Sequence, residues 1–469
     1  MEEGITKRPL VLLALIAAGF LLFSLLGVQP PSYPSPLNPQ PLHADEAVQW
    51  SLAKEMSEGV LYSSNSDRFH GPTLAASLLA ASKITGTAFT DMSESYLRNV
   101  AGCYLALLSL AALALPGVDL LSRVTAAIFC FAVGGGAPFG FYYVQEVLLV
   151  AGLAWAAVLW LRAEASDRKM RWRLLSGVAF GFALACKVTA VAYLLFFFIA
   201  LIIVRKTWAD RHLLTFIAGL VTSWAFFQSV AFTDVHGLAT WWSQLARSLG
   251  VASGHSEDTL NALSYWPWLW AALWLGEFSM YRLLGQRLIP FRSGSFDFAL
   301  VFVGLLYGFH LLLPYKTPWL LYGVMALPLV LVLPYYLSGG WRRDGMLLLG
   351  LLISAGVAAG DFASHSPTAD LRTFEASTAR LKAAYKGGPF YIAIQEGQYW
   401  PLPYYLRHYQ VGYGDFPAAA KAPLRLILAN DTSEPKVAGY AVRRLILRKE
   451  GTEYWVLVAK EYESVFSRP

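Results

Sequence analysis

LVLLALIAAGFLLFSLLGV (10–28), with PLHADEAVQW (41–50) beyond it, decides how this chain is read. The first stretch is an unbroken apolar run behind Lys7 and Arg8, long enough to cross a hydrocarbon core of about 30 Å. It is long for the apolar part of a signal peptide and has no small-x-small cleavage site before Pro30, which predicts a retained anchor. The second stretch sets two adjacent acids, Asp45 and Glu46, just outside that anchor. Charge beside a bilayer is costly decoration for a scaffold. It is what an enzyme needs to deprotonate a hydroxyl at a membrane surface.

Composition widens the membrane reading to the whole chain. Of 469 residues, 56% are hydrophobic and 14% charged, with mean hydropathy +0.46; a soluble domain carries about 25% charged residues. The net charge of +6 does not describe a nucleic-acid face, because the basic residues sit in short loops between apolar runs. Cys103, Cys130 and Cys186 all lie in apolar segments and give neither a disulfide framework nor a metal motif. The 16 tryptophans suit a protein whose rings sit at membrane interfaces.

Apolar runs predict spans near 9–28, 97–115, 118–134, 138–161, 174–187, 189–204, 213–232, 264–281, 296–314, 318–337 and 344–362, about eleven transmembrane helices. The basic loops Arg162–Arg173, Arg205–Arg211, Arg282–Arg292 and Arg342-Arg343 then share one side with the N-terminus, the cytoplasmic one. Residues 174–204 are short for two full crossings at about 1.5 Å per residue, and read as a hairpin turning near Lys187. Residues 29–96 form a long first outer loop. Its start, QPPSYPSPLNPQP, is too rich in proline to be helical; residues 46–58 read as a short helix with Asp45 as N-cap, and 73–88 as an interfacial helix. From 363 to 469 the composition turns polar, with strand-like runs FYIAIQ, LRLILA and YWVLVA, which predicts a small extracytoplasmic α/β domain behind the transmembrane domain 1–362. Asn430-Asp431-Thr432 has the form of a glycosylation sequon, a match short enough to arise by chance.

Five stretches, in order along nearly the whole chain, carry a resemblance. A first outer loop with DEA, a short helix and then HGP (70–72) resembles the integral-membrane glycosyltransferases of the GT-C fold, in the protein O-mannosyltransferase and aminoarabinose-transferase branch. YVQEVLLV (143–150) is similar to the acidic motif at the outer end of that branch's fourth span, and LACKVTA (184–190) to its lysine hairpin. PYKTPWLL (314–321) and YWPLPYYLRHYQVGYGD (399–415) resemble the flippase-activity-associated glycosyltransferase group. YVQEV departs from related motifs in having no arginine beside the acid. The resemblance implies transfer of a hexose or pentose from a polyprenyl-phosphate carrier to a glycan, lipid or protein acceptor at the outer face of the cell membrane.

Such a transfer needs a base for the acceptor hydroxyl but no strong acid, because the lipid phosphate leaves as a stable anion. Asp45 is the candidate base, while also fitting a helix cap; Glu46 orients the loop around it. Glu146 lies about two turns into an expected span, where a carboxylate costs about 3 kcal/mol on insertion scales. It is either a structural ion pair with Lys187 or, grouped with the catalytic acids, a cavity residue that binds the acceptor or a cation. Lys187 and Lys316, at outer ends of spans, are candidate ligands of the donor phosphate; snorkelling is their simpler explanation. His70 and His255, in outer loops, join that phosphate group more weakly, and no spacing among them defines a metal site, so a divalent cofactor has no ligand motif behind it. Arg98 reads as an interfacial anchor. In the C-terminal domain, Tyr399, Trp400, Tyr404, Tyr405 and Arg407 form an aromatic cluster that either stacks on an acceptor sugar or packs the domain onto the membrane face.

Two other functions compete. A transporter or flippase of lipid-linked glycans would place these charges along a path, usually with inverted repeats; they cluster at one face instead, and no repeat is visible. A non-catalytic scaffold leaves Asp45, Glu146, Lys187 and Lys316 on one side without a reason.

Overall fold

A computed structural model describes residues 41–61, 70–136, 141–205, 212–253, 294–313, 320, 322–338, 368, 370–394, 399–414, 421–429, 433–448 and 452–466. The expected spans 9–28, 264–281 and 344–362, the proline-rich start of the first loop, most of PYKTPWLL and the sequon lie outside the described residues, as do His255 and Lys316.

The first loop folds as expected into two short helices, α1 (Ala44–Ser57) and α2 (Thr73–Thr85). Gly86, at φ +70°, ends α2 in the left-handed conformation that glycine adopts without strain. The expected spans then appear as α3 (Glu94–Leu113), α4 (Leu120–Gly136), α5 (Gln145–Glu164), α6 (Lys169–Cys186), α7 (Ala190–Arg205) and α8 (Leu213–Gln228). After them come α9 (His236–Ser253), α10 (Gly294–Leu312), α11 (Tyr322–Leu331) and α12 (Leu333–Leu337). Among the described residues, α3 and α5 are long and apolar enough to cross a membrane by length and composition; α7 and α8 are apolar but shorter.

The narrow hairpin expected over 174–204 is wider than its hydropathy suggests. Helix α6 begins at Lys169, so it has 18 residues and reaches about 27 Å. Its first turn is polar and escapes an apolar window. Arg173, expected in a basic loop, is instead buried inside α6, donating to the Trp160 carbonyl at 2.9 Å and pairing with Glu164.

Helix α5 is apolar around its whole circumference, the pattern of a helix enclosed by others, and nearly all of its residues are buried. At its far end Trp160, Phe180, Phe197 and Phe216 meet edge to face at 5.3–5.4 Å. Helices α6 and α8 come together through Gly177 and Gly181, a small-xxx-small pair that lets backbones touch. A Cβ at Gly177 would lie 2.0 Å from the Phe216 carbonyl oxygen, and one at Gly181 2.2 Å from that of Leu220.

Beyond α12, helix α13 (Asp370–Ala384) precedes a five-stranded sheet of order β2-β1-β3-β5-β4. Strands β1 (Tyr391–Ile394), β3 (Leu424–Leu428) and β5 (Glu453–Ala459) are the three expected runs. β2 (Gln410–Tyr413) pairs parallel with β1, and β4 (Tyr440–Ile446) pairs antiparallel with β5 as an edge strand. Helix α14 (Leu402–Tyr405) lies between β1 and β2, and α15 (Glu463–Phe466) packs Phe466 against Phe374 of α13.

Candidate active site

The N-terminus of α1 is a closed hydrogen-bonded box. His43, not Asp45, is its N-cap: the His43 ring Nδ1 accepts from the Asp45 amide at 3.3 Å, and the His43 amide donates to Glu46 Oε2 at 3.0 Å. The expected cap shifts two residues because an imidazole nitrogen replaces the usual side-chain oxygen. Asp45 is therefore a residue of the first helical turn, half-buried, where backbone N–H groups and the helix dipole favour negative charge.

Glu46 has a different environment from its neighbour. It is 0% exposed. Its Oε1 accepts from the Tyr143 amide at 2.7 Å and forms an ion pair with Arg98, while Oε2 closes the box. Arg98 is not an interfacial anchor. It is fully buried on α3, its guanidinium 4.6 Å from the centre of the Tyr142 ring and donating to the Phe141 carbonyl at 3.4 Å. A fully buried carboxylate that receives three donors and pairs with a buried arginine is a poor base, so Glu46 is assigned to holding the helix and Asp45 keeps the candidate chemistry.

A second buried pair lies along the same segment. Glu146 sits in the first turn of α5 rather than two turns into a span, because α5 starts at Gln145. It pairs with Lys187, the extended residue that ends α6. Lys187 also forms an antiparallel bridge with His70. The Gly71 amide donates to the Cys186 carbonyl at 3.0 Å, and Gln244 of α9 donates to the His70 carbonyl at 3.0 Å. The glycine of HGP is required by space: a Cβ there would fall 1.7 Å from the Ala185 carbonyl oxygen. His70 and Lys187, two of the expected phosphate ligands, are thus held side by side through their backbones.

Sequence reading missed what surrounds this pair. Tyr193 of α7 and His310 of α10 meet at 3.4 Å, and the His310 Nδ1 lies 2.8 Å from the Leu306 carbonyl. A carbonyl only accepts, so Nδ1 carries the proton and Nε2 accepts from the Tyr193 hydroxyl. Glu146 acts electrostatically on Tyr193, and Lys187 on His310. An i, i+4 pattern of polar residues would not reveal this layer, since its four side chains come from four elements.

Both ion pairs hang on FYYVQE (141–146). Phe141, Tyr142 and Tyr143 hold the Glu46–Arg98 pair, and Glu146 holds Lys187. The Tyr143 hydroxyl adds a third tie, donating to the Leu74 carbonyl of α2 at 2.8 Å.

The aromatic cluster of the C-terminal domain divides in two. Tyr404 is 1% exposed and offers no open ring face to a sugar. Its hydroxyl donates to the Met92 carbonyl at 2.8 Å, and its ring meets Trp50 of α1 edge to face at 5.2 Å. Arg407 donates to the Thr90 carbonyl at 2.8 Å and lies 4.3 Å from the Tyr404 ring centre. Tyr404 and Arg407 join the C-terminal segment to the first loop, a packing partner other than the expected membrane face. Burial raises the Tyr404 phenol well above its ordinary value, and likewise raises the Glu375 carboxyl in the same joint. Tyr399 and Trp400 remain half-buried, with Tyr399 4.4 Å from Tyr413 between ring centres. Among the described residues, no three His, Cys, Asp or Glu side chains come together as a metal site.

The sequence matches no family model and no curated protein. The fold, however, is similar to solved structures over its full length. ArnT from Cupriavidus metallidurans in the apo state superposes with TM-score 0.61 at 12% identity, covering 99% of both chains. The same protein bound to undecaprenyl phosphate gives 0.59 at 12% identity, covering 98% of this chain and 99% of that one. The apo oligosaccharyltransferase of Archaeoglobus fulgidus gives 0.50 at 13% identity, over 88% of this chain and 65% of that one. Both neighbours are GT-C glycosyltransferases. The chain has the polytopic membrane fold of that class.

Proposed function

We propose that the chain is a membrane glycosyltransferase that moves a sugar from a polyprenyl-phosphate donor to an acceptor hydroxyl at the outer face of the cell membrane. The observation that carries the reading is the contrast between two adjacent acids: Glu46 is locked in the box with Arg98, and Asp45 stands half-buried beside it. Full-length likeness to ArnT, one structure of which holds undecaprenyl phosphate, supports a lipid-phosphate carrier. In this reading Asp45 takes the proton of the acceptor hydroxyl. The acceptor oxygen bonds to the anomeric carbon, and the bond from that carbon to the phosphate oxygen breaks. The electron pair leaves with the polyprenyl phosphate, which needs no proton.

Cations beside the leaving phosphate stabilise its growing charge. Lys187 and His70 are the described members of that group, with Lys316 and His255 completing it. An ammonium has three donors and Glu146 takes one, so Lys187 can be held by the carboxylate and still meet a phosphate oxygen. Tyr399 and Trp400 are the remaining candidates for stacking on an acceptor sugar. The accompanying topology is the expected one: about eleven spans, a cytoplasmic N-terminus, and 363–469 as an extracytoplasmic domain over the first loop.

The test is release of undecaprenyl phosphate from undecaprenyl-phosphate-linked sugars by the purified protein in lipid, with and without Asp45→Asn. Transfer is expected from the native protein and none from the variant, which inserts and folds normally. Near-native turnover by the variant removes Asp45 as the base. Absence of turnover across hexosyl and pentosyl donors removes the function.

A further inference from the structure

We infer that Tyr405 is a positioning residue: through its hydroxyl the C-terminal domain holds the start of α1, and with it Asp45, in register with α3. The inference rests on the proposed role of Asp45. Its basis is a pair of hydrogen bonds that reach across almost the whole chain. The Leu42 amide donates to the Tyr405 hydroxyl at 2.8 Å, and that hydroxyl donates to Glu94 Oε1 at 3.1 Å. One phenol thus accepts from the residue preceding the N-cap of α1 and donates to the first residue of α3. Tyr405 is 1% exposed and Leu42 fully buried, so water does not substitute in the bond between them.

The bridge joins the two helices that form the Glu46–Arg98 pair. Arg98 lies one turn beyond Glu94 on α3, and Glu46 lies in the first turn of α1, which Leu42 leads into. The segment between Leu42 and Asp45 has no slack. His43 donates its amide to Glu46, and the Asp45 amide is held by the His43 ring. If Leu42 loses its acceptor, a buried N–H must either stay unpaired or move toward water. Movement pulls on the His43 box, and Asp45 moves with it. Tyr404 and Arg407 anchor the same turn to Met92 and Thr90, so α14 is fixed to the loop on the α3 side. The domain therefore sets the geometry of the candidate base from behind, without itself touching a reacting atom.

Tyr405→Phe tests this, with Tyr440→Phe as the matched control. Tyr440→Phe likewise removes a part-buried phenol hydroxyl, which donates to the Ala422 carbonyl at 2.7 Å, but within the C-terminal segment. Two measurements are made on the full-length protein in lipid nanodiscs. The first is hydrogen exchange over residues 42–46, which needs no substrate. The second is turnover of an undecaprenyl-phosphate-linked hexose in membranes. Tyr405→Phe is expected to speed exchange over 42–46 by about tenfold, the worth of one hydrogen bond, and to lower kcat by a similar factor with donor KM within about twofold. Tyr440→Phe is expected to change neither. Unchanged exchange over 42–46 overturns the inference, and so does faster exchange with native kcat. If the native protein itself turns over no donor, the glycosyltransferase reading fails, and with it the catalytic meaning of the bridge; the exchange result then still decides whether the bridge exists.

Discussion

Replacing Glu46 by Gln separates the two jobs of the acid pair. The carboxylate receives three donors: the guanidinium of Arg98 and the amide of Tyr143 on Oε1, and the amide of His43 on Oε2. Glutamine has one oxygen, so its NH₂ must face at least one of those donors. If it faces His43, the capping box opens, at about 1 kcal/mol. In either orientation Arg98 becomes a buried charge without its counter-ion. Removing one partner from such a pair costs about 3–5 kcal/mol. Both side chains are 0% exposed, so solvent does not screen the loss. Replacing both partners by neutral groups of similar size, as in Glu46→Gln with Arg98→Met, removes the orphaned charge and should recover most of that loss. The assay is thermal unfolding of the purified protein in lipid for the native chain, both single variants and the double variant. A coupling of about 2 kcal/mol or more between the sites is expected. Single variants within about 0.5 kcal/mol of native, or costs that simply add, would refute the assignment of Glu46 as a structural acid.

Three further outcomes follow from the site. Gly71→Ala should destabilise by about 3 kcal/mol, the upper range for overpacking, because its Cβ would strike the Ala185 carbonyl; Gly250→Ala, where a Cβ meets nothing within 4 Å, should not, and thermal unfolding compares them. Tyr193→Phe should cost about 1–3 kcal/mol by leaving His310 Nε2 without its donor, whereas Tyr193→Phe with His310→Leu should cost less than the sum, because both partners then become apolar. Finally, burial raises the Glu375 carboxyl in the joint between the domain and the first loop. A raised folded value means that its contribution to stability is full below the unfolded value of about 4.3 and is lost as pH rises through the folded one. Glu375→Gln should flatten that part of the unfolding profile; a native profile in the variant would exclude Glu375 as its source.

Helices at several expected spans were legible because apolar runs carry their own period and length: α3, α4 and α7 lie close to where hydropathy puts them, whereas α5 begins later than its apolar run. The start of α6 was not, since Lys169, Arg171 and Arg173 look like a loop until Arg173 is seen folded onto Trp160. DEA and HGP marked the candidate site, but not how it is held. Arg98 meets Glu46 from another helix, and Tyr405 meets Leu42 from another domain, so no local pattern announces either. The edge strand β4 carries Arg443 and Arg444 in its middle and lacks the alternation by which strands are recognised. α9 went unseen for a related reason: its HGLATWWSQLARSLGVAS is too polar for a span, and its contacts, Gln244 with the His70 carbonyl and Trp241 with the Leu184 carbonyl, are made far along the chain.

The bridge between Leu42 and Tyr405 has a consequence for how the protein is made. The donor and acceptor of that hydrogen bond are 363 residues apart. A ribosome adding about 5–20 residues per second needs roughly 20–70 s to pass from one to the other. Throughout that interval the residues of α1 are already made, but the hydroxyl that fixes Leu42 has not been synthesised. A nascent chain, or one cut short before residue 405, carries the acid without its geometry. If Asp45 is the base, competence arrives late in synthesis, only once Tyr405 has been made and folded against Leu42.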